Sequence, residues 1–134
     1  MKPKAFTLVE LMIVMAILAI LAGMAVSQYS TYKHKAQAKD LVTLAAGCVH
    51  EIVSQCTVDP GFSSPSSLEN CRSRNATAYL DVVNFLLPSS FSCNRTFSVV
   101  AYATVHGTTV VYQANCTYDK TTHNIFCSGP EQRR

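Results

Sequence analysis

The sequence predicts an α+β fold in which one long N-terminal helix packs on an antiparallel sheet of three or four strands, stapled by disulfides. Three observations predict it. An apolar stretch is followed by an amphipathic one, with no proline between residues 4 and 59. The C-terminal third is rich in β-branched and aromatic residues and is divided by turn signals. Six cysteines occur in 134 residues, a density typical of small domains that fold in oxidising compartments.

The apolar segment runs from Phe6 to Tyr29, and it contains one charged residue, Glu10. From Leu11 to Val26 sixteen consecutive residues carry no charge. A helix of about twenty residues is roughly 30 Å long, which matches the hydrocarbon layer of a membrane. Because a charged side chain deep in that layer costs about 2.5 to 3.5 kcal/mol, Glu10 indicates a function beyond anchoring.

The amphipathic part follows Tyr32, and its apolar residues recur every three or four positions. We therefore expect one helix of about fifty residues, whose second half covers a sheet and which ends at Asp59-Pro60-Gly61. The predicted buried stripe consists of Leu41, Leu44, Ala45, Cys48, Ile52 and Cys56.

Two connecting segments follow the long helix. The serine-rich stretch from Phe62 to Arg74 predicts an exposed loop. Asn75 is a candidate cap for a short helix from Ala76 to Leu87 that Pro88 ends, and a short strand is the alternative for this segment.

The predicted sheet lies in the last forty residues. Residues 96–105 and 108–118 should pair antiparallel across the tight turn at His106-Gly107. A third strand, Asn124 to Ser128, follows a polar turn centred between Thr121 and Thr122.

The register of that last hairpin predicts one disulfide. It places Cys116 directly opposite Cys127, at the distance that a cross-strand bridge needs. The other cysteines allow three connectivities. The position of Cys48 on the apolar stripe favours Cys48 with Cys93, which leaves Cys56 to pair with Cys71.

The N-terminus resembles that of a type IV pilin. Lys2 and Lys4 form a short basic leader, Phe6-Thr7-Leu8 follows it, and Glu10 is the fifth residue counted from Phe6. The resemblance implies the type IV pilin fold, cleavage between Ala5 and Phe6 by a prepilin peptidase, and N-methylation of Phe6. Ala5 replaces the glycine that usually ends the leader, and its small side chain should preserve cleavage.

Two other departures concern the helix itself. Ala19 and Ser27 stand where the family commonly has glycine and proline. A helix break between them is therefore less expected, although Gly23 offers a weak point.

The resemblance also implies a division of the chain and a function. Residues 1–5 are the cleaved leader, residues 6–32 the transmembrane and polymerisation half of the helix, and residues 33–134 a globular domain in the periplasm or outside the cell. The expected function is that of a pilus subunit without cofactor or enzymatic activity. Before assembly it is expected to reside in the inner membrane, where it contacts the assembly machinery. It then forms a homopolymer on the bacterial surface, and its role is adhesion, twitching motility or DNA uptake.

Glu10 is the residue expected to guide assembly. In a bundle of staggered helices, the resemblance implies that its carboxylate meets the free amine of Phe6 on a neighbouring chain. Such a pair stabilises only when both groups lose water together, so it favours one axial stagger. The simpler interpretation is a glutamate tolerated near a helix N-terminus, where the helix dipole favours negative charge.

Alternative functions stay open at this point. Residues 1–25 could be an ordinary signal peptide, in which case the mature chain would begin at Val26. A minor or competence-type pilin could bind DNA through a basic stripe of arginines, although scattered solvated charges are the simpler interpretation. A pseudopilin of a type II secretion system is a third alternative. The arginines concerned are Arg72, Arg74, Arg95, Arg133 and Arg134.

Other signals carry less information. Without the leader, nine basic side chains face eight acidic ones, which is no electrostatic signature for nucleic acid. The four histidines and six cysteines lack a metal-binding spacing, so we expect no metal. Tyr29 and Tyr32 suit either a membrane interface or contact with a neighbouring subunit. A conductive array of aromatic side chains is a remote further possibility.

Overall fold

The computed structural model describes residues 5–75 and 77–133. The chain divides between Lys33 and His34 into two units, which we call the N-terminal and the C-terminal unit. Leu8–Val58 is a helical stretch of 51 residues, and the turn at Ala38 and Lys39 separates its two helices. The elements are α1 (Leu8–Gln37), α2 (Asp40–Val58), β1 (Asn84–Leu86), β2 (Phe97–Thr104), β3 (Val111–Asp119) and β4 (Asn124–Gln132).

The turn between the helices is tightened rather than open. The N–H of Lys39 donates to the carbonyl of Ala36 at 3.2 Å, and the N–H of Leu41 donates to the carbonyl of Ala38 at 3.0 Å. These bonds span three residues, as in a 3-10 helix. Ala38 is fully buried, so the turn also belongs to the core of the C-terminal unit.

The predicted end of the long helix is confirmed. The N–H of Asp59 donates to the carbonyl of Gln55 at 2.8 Å, and the Asp59 carboxylate accepts a bond of 2.9 Å from the N–H of Gly61. Pro60, between them, has no N–H with which to continue the helix.

The core lies between α2 and the inner face of the sheet. Four residues of the predicted stripe are fully buried there, while Leu44 and Cys56 are half-buried. Val49 joins the buried set. Alternate residues of β2 and β3 supply the opposite wall, as expected for a sheet with one covered face. The four stripe residues are Leu41, Ala45, Cys48 and Ile52.

The sheet has the order β1-β2-β3-β4, and every neighbouring pair is antiparallel. The predicted pairing of the first two long strands is confirmed. Their turn places Gly107 at φ 78°, a left-handed conformation that glycine adopts without steric cost.

The last strand extends beyond the predicted Ser128, because the pairing continues past an irregularity between Gln113 and Asn115. Gly129 permits this extension. Its φ is 111°, and a Cβ atom there would lie 2.9 Å from the carbonyl oxygen of Gln113. Only glycine fits so close to another backbone.

The predicted helix from Ala76 to Leu87 was wrong, and the alternative of a strand is correct. Ala76 lies outside the described residues. The remainder is an extended edge: the N–H of Asp81 donates to the carbonyl of Thr104 at 2.9 Å, and the N–H of His106 donates to that of Tyr79 at 2.8 Å. The rim of the sheet supplies these partners, and pairing with it overrides the helical spacing of the apolar residues.

The loop after the long helix is only partly exposed, contrary to prediction. It forms two short 3-10 helices, Pro65–Ser67 and Glu69–Cys71. Pro65 and Cys71 are buried. The N–H of Asn70 donates to the Glu51 carboxylate at 2.8 Å, which holds the loop against α2.

That contact explains the disulfide pairing, which differs from the favoured one. The bridges are Cys48–Cys71, Cys56–Cys93 and Cys116–Cys127. The loop folds back on the middle of α2, where Cys48 lies. Cys56 is eight residues further on, about 12 Å at the helical rise, and there it meets the segment that precedes β2. Closing a loop of 23 residues stabilises the fold by about 3 kcal/mol in the chain-entropy model.

Candidate assembly surface

The helix α1 buries none of its residues. This is the reverse of α2, although both helices are apolar. The helical stretch is long and apolar enough to cross a membrane, and its most apolar part is not buried at all. Large continuous apolar surfaces of this kind mark sites that contact a partner or a membrane. The exposed large side chains are Phe6, Leu8, Val9, Leu11, Met12, Ile13, Val14, Met15, Ile17, Leu18, Ile20, Leu21, Met24, Val26, Tyr29 and Tyr32.

The start of α1 is set by Thr7. Its Oγ1 accepts a hydrogen bond of 3.2 Å from the backbone N–H of Glu10, and α1 begins at Leu8. A threonine followed three residues later by a glutamate is the capping-box pattern. This signal is local, so the sequence alone is enough to place the cap at the start of the helix at Thr7.

The cap leaves the carboxylate of Glu10 uncommitted, because the bond uses the backbone of that residue. Glu10 lies in the first turn of α1 and is exposed, as are Ala5 and Phe6. The leader residues Lys2 and Lys4 lie outside the described residues. The predicted cleavage position and the Glu10 carboxylate therefore both lie at one accessible end of the helix.

The helix α1 continues without a break through the segment that contains Gly23. The residues from Ala19 to Ser27 are α-helical. The hydroxyl of Ser27 donates to the carbonyl of Met24 at 3.1 Å, and that of Thr31 donates to the carbonyl of Ser27 at 3.2 Å. These hydroxyls are satisfied within the helix, so they remain compatible with an apolar environment.

Three of the arginines of the suggested basic stripe have partners within the chain. The guanidinium of Arg74 donates to the carbonyl of Glu69 at 3.0 Å and to the side-chain oxygen of Asn70 at 3.2 Å. Arg72 lies 3.9 Å from the Glu69 carboxylate, and the guanidinium of Arg133 lies 4.5 Å from the centre of the Tyr102 ring. Arg134 lies outside the described residues. These contacts add no support for DNA binding.

Two carboxylates of the C-terminal unit, Asp81 and Asp119, have local partners. His106 Nδ1 lies 2.8 Å from an Asp81 carboxylate oxygen. The N–H of Thr121 donates to Asp119 at 2.8 Å, and this bond, followed by those from Thr122, holds the pKa of Asp119 below its ordinary value. Across residues 5–75 and 77–133, no three His, Cys, Asp or Glu side chains are grouped so that they could hold a metal ion.

Comparison with known proteins identifies the N-terminus. Residues 1–26 match the family described as the prokaryotic N-terminal methylation motif, and no solved structure matches the chain significantly. The motif supports a type IV pilin-like prepilin, and the long helix, four-stranded sheet and three disulfides form a type IV pilin-like architecture. Motif and fold together indicate a structural protein rather than an enzyme.

Proposed function

We propose that this type IV pilin-like prepilin is a structural subunit that polymerises through α1 into an extracellular fibre. One observation carries the proposal. The helix α1 exposes a continuous apolar surface, whereas the C-terminal unit buries its apolar residues in a core of its own. Exposure of that apolar surface to water is unfavourable. Lipid of the inner membrane would cover it before assembly, and the helices of neighbouring subunits would cover it in the fibre.

The proposed processing begins at the exposed end of the helix. A prepilin peptidase would cut between Ala5 and Phe6, and the new amine of Phe6 would be methylated. On this proposal residues 1–5 are removed, residues 6–32 serve the membrane and the fibre, and residues 33–134 lie in the periplasm and then outside the cell. The three disulfides suit the oxidising environment of that location.

Glu10 is proposed to set the stagger of the helices by pairing with the amine of Phe6 on the next subunit. The rival explanation is that Glu10 only helps α1 to begin. The two explanations predict different effects of mutation, because the cap consists of the Thr7 hydroxyl and the Glu10 backbone. A change to the Glu10 side chain leaves those atoms in place.

Two matched variants therefore test the role of Glu10. Glu10→Gln should leave membrane insertion and cleavage intact while reducing surface filaments at least roughly tenfold, since an uncompensated partner charge would be left among apolar helices. Thr7→Ala removes the cap, keeps the charge and should reduce filaments much less. Filament protein sheared from cells and cleaved protein in membranes measure both steps. Equal filament losses in the two variants would contradict the pairing.

Mass spectrometry of sheared filaments tests the whole proposal. It should find this chain beginning at a methylated Phe6, as the main component of the fibre. A mature chain beginning at Val26 would mean that the apolar segment is a discarded signal peptide.

A pseudopilin is the second candidate, because the methylation motif fits pilins and pseudopilins alike. It would form a short periplasmic fibre instead of a surface filament. Immunogold labelling decides between them, since label along surface filaments supports the pilus and label confined to the periplasm supports the secretion system. Whether such a fibre serves adhesion, twitching motility or DNA uptake is a further question for the same filaments.

A further inference from the structure

A cleft of about 280 Å³ opens in the C-terminal unit where α2 ends. Its lining includes the apolar Val53, Pro60 and Cys56–Cys93 disulfide, together with the polar residues Thr57 and Asn94. Phe97 and Tyr118 form its aromatic floor, with ring centroids 5.5 Å apart and planes inclined by 39°. Both aromatic side chains are 93% removed from solvent, at 7% exposure each, so the floor is fixed by the core beneath it.

The β3–β4 turn contributes two further polar residues to the cleft, Lys120 and His123. The ring nitrogen Nδ1 of His123 lies 2.9 Å from the Tyr118 hydroxyl, which leaves Nε2 of the imidazole available. His123 adopts φ 56°, a left-handed conformation uncommon outside glycine. The backbone N–H of Lys120 donates to the Thr96 hydroxyl at 3.1 Å.

The charge of the cleft lining is unbalanced. Of the described residues, those that line the cleft include a lysine and a histidine but no carboxylate. The nearest acidic residue along the chain, Asp119, accepts the N–H of Thr121. The Asp119 carboxylate therefore contacts the backbone of the turn. Lys120 therefore adds a positively charged residue to the lining of the cleft, and no lining residue is acidic.

We propose that this cleft binds a small carboxylate that carries an aromatic body. The Lys120 ammonium would pair with the carboxylate, and Nε2 of His123 would add a hydrogen bond. Charge-assisted bonds of this kind are the strong ones. The ring would lie against Val53 and Pro60 and against the small accessible part of Phe97 and Tyr118, where aromatic contacts add to the burial of apolar area. The volume suits a small molecule, since it lies just below the range of drug-sized pockets.

Nothing in this proposal requires a fibre, because every lining residue belongs to one C-terminal unit. The test uses the full chain in lipid nanodiscs, with empty nanodiscs as the blank. Calorimetric titration with 3-phenylpropionate should show saturable binding of one molecule per chain. The neutral amide, 3-phenylpropanamide, and acetate, which has no aromatic body, should each bind at least roughly tenfold more weakly.

Variants localise the site. Lys120→Gln should weaken 3-phenylpropionate binding roughly tenfold and leave the affinity for the amide unchanged. His123→Asn should also weaken it, while asparagine keeps the left-handed turn. Lys39→Gln is the matched control, because Lys39 is an exposed lysine away from the cleft, and it should bind as the unchanged chain does.

Three results would overturn the proposal. The first is the absence of saturable binding by 3-phenylpropionate. The second is equal affinity for the acid and the amide, which would remove the role of the charge. The third is unchanged affinity in Lys120→Gln, which would place the binding elsewhere. A chain that forms no filaments but binds the acid would contradict the proposed function and leave the cleft assignment standing.

Discussion

The two helices of this chain are both apolar, and they treat their apolar side chains in opposite ways. Ile52 on α2 is fully buried against the sheet, whereas Ile17 on α1 is 52% exposed. The difference follows from sequence pattern. The polar residues of α2 leave one apolar stripe that a single sheet can cover, whereas α1 is apolar around its whole circumference from Leu11 to Val26. A surface of that kind needs cover from several directions, as lipid or a bundle of helices provides.

We expect the largest difference in stability when these two isoleucines are truncated. Ile52→Ala should lower the unfolding free energy of the C-terminal unit by about 2 to 5 kcal/mol, since it leaves a cavity in the core. That corresponds to a fall of roughly 10 °C or more in the melting temperature of a domain of this size. Near-UV circular dichroism of the full chain in nanodiscs measures it.

Ile17→Ala is the matched control for that measurement. It removes the same atoms from α1 and should leave the melting temperature unchanged, because Ile17 belongs to the N-terminal unit and is not part of the core. Its effect should appear in the yield of filaments. A drop in melting temperature equal to that of Ile52→Ala would abolish the distinction between the two helices.

Two glycines of the C-terminal unit sharpen the comparison at a smaller scale. Gly129→Ala should destabilise the unit by about 1 to 3 kcal/mol, because a Cβ atom would lie 2.9 Å from the Gln113 carbonyl oxygen and φ is 111°. Gly47→Ala in α2 meets nothing within 4 Å and should stabilise the helix by about 0.5 to 1 kcal/mol. Urea unfolding of both variants checks the opposite signs. Equal changes in unfolding free energy in the two variants would contradict the claim that the close approach of β4 to β3 requires glycine at position 129.

The smallest expected effect concerns pH and the β3–β4 turn. The folded pKa of Asp119 is below its ordinary value of 3.8 because of the bond from the Thr121 N–H. Its contribution to stability is therefore full above pH 3.8 and is lost as the pH falls through the lower, folded pKa. Asp119→Ala should melt slightly lower at neutral pH and converge with the unchanged chain as the pH falls below 3.8. A constant difference at all pH values would assign the effect to something other than this carboxylate.

The sequence predicted those parts of the fold that depend on local patterns. The stripe on α2, the helix stop at Asp59-Pro60-Gly61 and the antiparallel pairing of β2 with β3 all follow from spacing or from turn chemistry. The opposition of Cys116 and Cys127 belongs to this class, because one short turn fixes the register of its hairpin.

The parts that failed depend on contacts between distant segments. Residues 77–87 have helical spacing, but the free rim of the sheet supplies hydrogen bonds that only the folded chain contains. The pairing of Cys48 depends on a loop held to α2 by Glu51, which no local pattern reveals. The candidate assembly surface was easier to predict, because its apolar residues are continuous in sequence. The Thr7 cap was also local and could have been found.

Cryo-electron microscopy of sheared filaments tests the central claim most directly. We expect helical density in the centre of the fibre for residues 6–32, with the Glu10 carboxylate of one subunit within hydrogen-bond distance of the Phe6 amine of its neighbour. We also expect Ile17 to contact neighbouring helices. Filaments in which these residues are absent, or in which Ile17 faces solvent, would contradict the claim that other copies of this chain cover α1.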